Sequence, residues 1–471
     1  MAITSMLFLF CFLPLSLAVY YIANDEVKEY VLLALSLLFY ALGSLKYFFI
    51  FTTVVFITVA IGRGIYKEEH KGIKKCLLIF GILVNVGVLG YYKYADFAIS
   101  TVNNIFGSEF ELRNLLLPLG ISFFTFKAIS FLADIYTQKI DLTNVPVLHD
   151  ALYLSFFAQI QSGPLTRYSN SFCVKKEERG NLFSDGVFRF LIGFNKKVLL
   201  ANILANITTE VFSNSFDNFS SAYAWLGSIC YSLQLFYDFA GYSDMAIGIS
   251  EMFGYRCMEN FKYPYMTESV SKFWRRWHIS LSQWFRDYIY IPLGGARSPK
   301  RIRVYFNLFI VWILTGIWHG SAWNFVFWGV GYFILIAFEK ATGLPDKLRT
   351  KACKSIYRIL TLIFINCQWV IFRASDLMTG LRFLKRMFIP TINGLADLRT
   401  MFLIKDYFAF ILAAIILCVP IVPWIDEKLE KKKWAKYTYE IVIGILTVLL
   451  FVWGMSFVVS GQNNPFAYAN F

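Results

Sequence analysis

The chain contains four His. They are its side chains whose ordinary pKa, near 6.5, suits proton transfer at physiological pH. His319 stands in ILTGIWHGSAWNFVFWG, near the middle of the apolar run 304–338. An ionisable group there is costly and tends to face a cavity or a pathway. The competing reading is a packed imidazole bonded to a neighbouring carbonyl, although Gly316 and Gly320 would allow a helix break and a backbone-lined cavity around the ring. His278 lies in FWRRWHISLSQWFRDYIYIPLGG, Phe273 to Gly295, where Trp, Arg and a single His share a greasy chain. His70, among Lys67, Glu68, Glu69 and Lys71, and His149, beside Asp150, read as solvated loop residues.

Two carboxylates interrupt a further apolar run, SLQLFYDFAGYSDMAIG. Asp238 and Asp244, six apart, fall on different faces of an unbroken helix and do not form an acid–base pair. The structural reading is that one caps a broken helix while the other pairs with a basic loop. GxSxG, Walker A, GxGxxG and HExxH patterns are missing, which withdraws the usual sequence support for ATP hydrolysis, redox chemistry and zinc proteolysis. The eight Cys are scattered without CxxC or CxxH spacing, so neither a disulfide framework nor a metal site is expected.

These residues must be positioned by membrane helices. Hydrophobic side chains make up 57% of the 471 residues and charged ones only 16%, outside the range of soluble globular chains. Runs long enough to span are expected near 3–22, 30–61 (two helices broken at Gly43), 76–92, 115–136, 186–212, 221–250, 304–338 (two pieces), 355–372, 403–425 and 437–460, for about eleven spans in one polytopic membrane domain, 1–471. The first run lacks a basic n-region and is expected to be a retained span rather than a signal peptide. Ala151 to Tyr168, short and ending in Ser-Gly-Pro, reads as a re-entrant or interfacial piece. Basic loops at Arg63–Lys75, Arg167–Arg179, Arg256–Arg303 and Glu427–Lys436 are expected on the cytoplasmic side, and Asp96–Glu111 and Ser213–Ser221 outside. The net charge of +14 is therefore loop charge rather than a nucleic-acid surface.

Half of that charge sits in 256–303, where ten basic residues face three acidic ones, a balance of +7. At roughly 100° per residue, Phe273, Trp274, Trp277, Leu281, Trp284, Phe285 and Tyr288 share one arc, and Arg275, Arg276, Ser280, Ser282, Gln283, Arg286 and Asp287 spread over the other. That pattern predicts an amphipathic helix in the headgroup plane, with His278 on its seam. Ser269 or Ser271 is expected to cap it, and Pro292, Gly294 and Gly295 to end it.

With these residues in view, the chain resembles the membrane-bound O-acyltransferase superfamily, and within it the membrane subunits that acetylate alginate and other exopolysaccharides. The likeness rests on FFTFKAISFLADIY (Phe123–Tyr136), QSGPLTRY (Gln161–Tyr168), YDFAGYSDMAIG (Tyr237–Gly248), the Phe273–Gly295 stretch and WHGSAWNFVFWG (Trp318–Gly329). It implies an all-α ring of about eleven helices with re-entrant pieces around a central tunnel, in the bacterial cytoplasmic membrane. The family's essential His falls on His319, in the segment 304–338, and its second polar position on His278. Acetyl-CoA, or an acylated carrier, is implied as donor rather than as a resident cofactor. An extracytoplasmic SGNH-type acetyltransferase and a polysaccharide acceptor are implied as partners, and no metal is implied.

A thioester is already activated and needs only a base for the attacking hydroxyl and stabilisation of the oxyanion. On that basis His319 is the expected general base and His278 the group that orients the donor or polarises its carbonyl. Lys272, Arg275, Arg276 and Arg286 are candidates for the phosphates of coenzyme A, against the plain alternative of positive-inside charge meeting anionic lipid. Trp274, Trp277, Trp318, Trp323, Asp238 and Ser243 are the expected tunnel lining. Transfer of D-alanine to teichoic acid, as in another branch, and a transporter or export channel are the alternatives. The latter is weakened because no inverted repeat is visible.

Overall fold

The structure is a computed structural model and describes residues 1–214, 220–390 and 394–461. The apolar runs fold as twenty α-helices among these residues. In chain order they are α1 (Leu13–Ile22), α2 (Lys28–Gly43), α3 (Leu45–Lys67), α4 (Lys71–Leu89), α5 (Ala95–Phe106), α6 (Ile121–Tyr136), α7 (Val147–Ser155), α8 (Arg179–Asn195), α9 (Asn202–Ser213) and α10 (Ser221–Met252). There follow α11 (Val270–Trp274), α12 (Ile279–Phe285), α13 (Arg301–His319), α14 (Trp323–Thr342), α15 (Leu344–Lys347), α16 (Lys351–Arg373), α17 (Leu377–Phe388), α18 (Leu398–Leu417), α19 (Ile421–Leu429) and α20 (Lys433–Val459).

Among the described residues, eight helical stretches are long and apolar enough to cross a membrane. The other runs counted as spans from sequence form shorter helices, such as the 16-residue α2 and α6, or are diluted by polar residues, as α10 is by Gln234, Asp238 and Asp244. The break at Gly43 and the division of 304–338 into two pieces are both present. After α7 the Ser-Gly-Pro segment is non-helical, between short 3-10 turns at Phe157–Gln159 and Tyr168–Asn170. Of the Ser213–Ser221 loop, residues 215–219 lie outside the described residues.

The helices divide into two compact units, one of residues 1–190 and 243–258 and one of 191–242 and 259–471. The first contains α1–α7, most of α8 and the last part of α10. His149 is buried in this unit rather than solvated: its ring stacks on Phe172 at 4.3 Å, with Glu29 and Ser171 each 3.0 Å from a ring nitrogen. His70 is exposed, as expected. Asp244 pairs with Arg189 of α8, whose Nη2 is 2.8 Å away, so its partner is a helix residue rather than a loop.

The second unit is built on aromatic packing, which supplies large apolar area at low conformational cost. Ile365, Trp369 and Phe372 bury one face of α16 at helical spacing, and Trp328 and Tyr332 do the same for α14. Between α13 and α14 the backbones nearly touch. A Cβ at Gly316 would lie 2.4 Å from the Phe325 carbonyl oxygen, and one at Gly329 would lie 2.4 Å from that of Trp312. Gly316 therefore serves close packing between α13 and α14, and the helix break falls at Gly320, the C-cap of α13. Asp238 is buried against Lys197, and α10 runs through Gly241 unbroken, so neither carboxylate caps a broken helix.

Candidate functional site

His319 is the last residue of α13 and is 2% exposed. Its ring is boxed by Trp318 at 4.6 Å, Trp328 at 4.9 Å and Phe372 at 5.2 Å, the last two near edge-on. The turn that follows is held by Asn324, whose amide donates to the Ala374 carbonyl (2.9 Å) and the Ile371 carbonyl (3.3 Å) at the end of α16. His319 thus sits at a helix end between two helices fixed to each other by glycine contacts. Its position is set by backbone packing.

His278 is set differently. The continuous amphipathic helix expected from the wheel is broken: α11 stops at Trp274, His278 takes a left-handed backbone (φ 44°, ψ 54°), and α12 begins at Ile279. A left-handed residue other than Gly costs about 1–2 kcal/mol, and Asn260 holds this one in place. The Asn260 main-chain carbonyl accepts from Ile279 N–H at 2.9 Å, and its Oδ1 accepts from the Ser280 N–H (3.3 Å) and hydroxyl (2.8 Å). The break carries His278 from the expected seam to complete burial. Its ring lies edge-on to Phe239 at 4.6 Å and is 5.9 Å from Trp318, the same indole that contacts His319.

The Asn260 contacts also fix the tautomer of His278. Nδ1 lies 3.1 Å from Asn260 Oδ1, the atom that already accepts from the Ser280 N–H. Nδ1 therefore carries the proton, and the neutral ring presents its lone pair at Nε2, which has no hydrogen-bond partner among the described residues.

The start of α11 is closed completely. Ser269 caps it through Lys272 N–H (3.2 Å), the first of the two caps expected. The N–H groups of Val270 and Ser271 both donate to the buried Glu339 carboxylate, at 2.8 Å each, which also accepts from the Tyr357 hydroxyl at 2.9 Å. Glu339 stands two turns beyond Tyr332 on α14, on the same side of that helix. It therefore ties α11 to the helix that carries Trp328. Trp274 follows and packs edge-on to Tyr332 (4.9 Å) and Trp328 (5.7 Å), while Trp277 packs on Trp369 at 4.9 Å. The indole N–H groups of Trp274, Trp277, Trp328 and Trp369 and the Tyr332 hydroxyl are buried and find no acceptor among the described residues. They form a set of hydrogen-bond donors beside the two His, where a carbonyl-bearing group could be received.

Of the residues expected from sequence, His319, His278, Trp274, Trp277 and Trp318 come together. Trp323 is 53% exposed, Asp238 is engaged by Lys197, and Ser243 belongs to the first unit. Among the cations, Arg275 is exposed and Arg276 donates to the Met266 carbonyl at 3.2 Å. Lys272 bonds Glu268 at 2.5 Å, which holds that carboxyl below its ordinary pKa, and Arg286 pairs with its neighbour Asp287. Sequence reasoning missed Asn260, Trp328, Tyr332, Trp369 and Glu339. Glu339 had a usable signal, an acid at helical spacing from buried aromatics, whereas nothing around Asn260 marks it.

Residues 121–380 match the model of the membrane-bound O-acyltransferase family. The chain is 37% identical over 396 residues to the probable alginate O-acetylase of Pseudomonas aeruginosa, an alignment covering 82% of this chain and 75% of that protein. Against the peptidoglycan O-acetyltransferase of Helicobacter pylori the identity is 35% over 424 residues, covering 83% and 80%. Against the teichoic acid D-alanyltransferase of Bacillus subtilis it is 29% over 327 residues, covering 61% and 81%.

Proposed function

The chain belongs to the membrane-bound O-acyltransferase family and is an O-acyltransferase, and we propose from that premise that it moves acetyl groups from cytosolic acetyl-CoA to an extracytoplasmic polysaccharide, or to an SGNH-type partner that acetylates it. The observation that carries the reading is the pair of buried imidazoles, His278 and His319, both packed near Trp318. In the reaction the acceptor hydroxyl oxygen attacks the thioester carbonyl carbon and the C–S bond breaks. The hydroxyl proton passes to His319 and from there to the departing thiolate, leaving an ester and free thiol. The indole N–H groups and the Tyr332 hydroxyl are the donors available to the oxyanion and to the carbonyls of the donor's arm. Lys272, Arg275, Arg276 and Arg286 supply cationic charge for its phosphates, and the site works in a bacterial cytoplasmic membrane.

The tautomer favours a second assignment within the same reaction. With Nδ1–H committed to Asn260, the neutral His278 ring accepts at Nε2 and cannot donate there to a carbonyl, so in this alternative His278 takes the proton and His319 orients.

Purified protein in bilayer discs is expected to release coenzyme A from acetyl-CoA only when acceptor is supplied. His319→Ala is expected to lower release by about 10²–10⁴-fold. A folded His319→Ala protein that retains transfer while His278→Ala loses it would overturn the first assignment for the second. Turnover of a D-alanyl carrier thioester in place of acetyl-CoA would move the donor to the teichoic acid branch.

A further inference from the structure

The first unit holds a cavity that the acyl-transfer site does not use. Its lining includes the buried Lys127 of α6, Gln159, Tyr255, Leu152 and Phe156 and the exposed Asn170. Lys127 is 3% exposed, deep enough that an ammonium group needs compensation. What the protein gives it is small. Gln159 Oε1 lies 3.4 Å from Nζ, a long contact for a charged hydrogen bond, and the Tyr153 ring offers its face at 4.6 Å. Gln159 cannot turn a second acceptor toward the lysine, because its amide N–H groups are committed to Ser250 Oγ (3.2 Å) and Cys257 Sγ (3.1 Å). Lys127 has no carboxylate partner among the described residues.

A second donor belongs to the same lining. The hydroxyl of Tyr255, a residue 5% exposed, has no hydrogen-bond partner among the described residues. A buried phenol without an acceptor is costly, and a buried ammonium without a counter-charge is costlier still. Both costs are met by one occupant: a negatively charged group with two oxygens, one for each donor. The apolar wall of Leu152 and Phe156 beside them adds a requirement for a short alkyl end.

We propose that this cavity binds a small carboxylate of the acetate class, its oxygens on Lys127 Nζ and the Tyr255 hydroxyl and its methyl group against Leu152 and Phe156. The exposed Asn170 marks the side from which it enters. The site is independent of the His278–His319 pair, so its failure and that of the catalytic assignment are separate results.

The test is equilibrium binding of radiolabelled acetate to the purified full chain, together with thermal unfolding in sodium acetate or sodium chloride at matched ionic strength. Wild-type protein is expected to bind about one acetate per chain and to rise in melting temperature saturably with acetate but not with chloride, since only a ligand of the folded state stabilises it by mass action. Tyr255→Phe keeps the packing and removes one hydrogen bond to a charged group, and is expected to weaken acetate binding about tenfold or more. Lys127→Met removes the cation and is expected to abolish binding. Absence of saturable acetate binding by the wild type overturns the proposal, as does binding that survives undiminished in both variants. Equal stabilisation by chloride and acetate would overturn the carboxylate assignment.

Discussion

The two segments that carry the paired imidazoles solve the same problem in opposite ways. His319 ends an unbroken helix of 19 residues, and its place follows from α13 and α14 packing through glycines, with Asn324 holding the turn beyond it. His278 sits between a helix of five residues and one of seven, on a left-handed backbone, and is held by side chains from elsewhere: Asn260, eighteen residues earlier, and Glu339, on α14. The difference teaches that one His is positioned by continuous secondary structure and the other by a polar scaffold that interrupts it. The first should be sensitive to added volume, the second to deletion of hydrogen-bond acceptors.

The largest separation between them is expected in catalysis. Loss of a general base typically lowers turnover by about 10²–10⁴-fold, and steady-state coenzyme A release by His319→Ala is expected to fall in that range with the protein still folded. His278→Ala should cost less; an equal or larger loss would exchange the two roles.

The next effect tests the polar scaffold. Glu339→Ala strips the first turn of α11 of its acceptor, and hydrogen bonds to charged groups are worth about 1.5–3 kcal/mol. Thermal unfolding should register that loss. If Glu339 positions the His278 segment, turnover should fall more than apparent donor affinity, and Glu339→Gln should restore part of it; an unchanged ratio of the two parameters would reduce Glu339 to a purely structural role.

Added volume probes the other segment. Gly316→Ala places a methyl group 2.4 Å from the Phe325 carbonyl oxygen, and overpacking of this kind costs about 1–3 kcal/mol. A melting temperature unchanged from wild type would mean that α13 and α14 slide freely.

A smaller effect separates backbone from ring at His278. Both His278→Gly and His278→Ala delete the imidazole, but only Gly relaxes at φ 44°. The Gly variant is expected to be more stable than the Ala variant by about 1 kcal/mol, read from paired unfolding curves. The smallest effect belongs to Lys272→Ala, which removes one surface ion pair with Glu268, worth under about 1 kcal/mol. It is expected to leave stability unchanged and to raise the KM for acetyl-CoA modestly if its charge meets the donor's phosphates.

The helix ends were legible where a local signal controls them. Gly43, the Ser269 cap and the divided run 304–338 each involve neighbours in sequence, and the structure follows them. The wheel through His278 failed because a helical projection assumes that each N–H bonds four residues back. Here the N–H groups of Ile279 and Ser280 go to Asn260 instead. Asp238 and Asp244 failed similarly: their partners, Lys197 and Arg189, lie on helices forty-one and fifty-five residues away, and no pattern around either carboxylate names them.

Composition and hydrophobic runs by themselves determined a polytopic helical membrane protein, because the cost of exposing backbone polar groups to lipid leaves helices as the outlet for apolar segments of this length. The sequence also singled out His319, since a lone imidazole within such a run is expensive unless it serves a purpose. Tertiary structure alone decided that His278 is buried beside the same indole as His319, which nitrogen bears its proton, and that an acid on α14 holds its segment. Each of these rests on hydrogen bonds between residues far apart in the chain, whose pairing is specified only when the helices have packed.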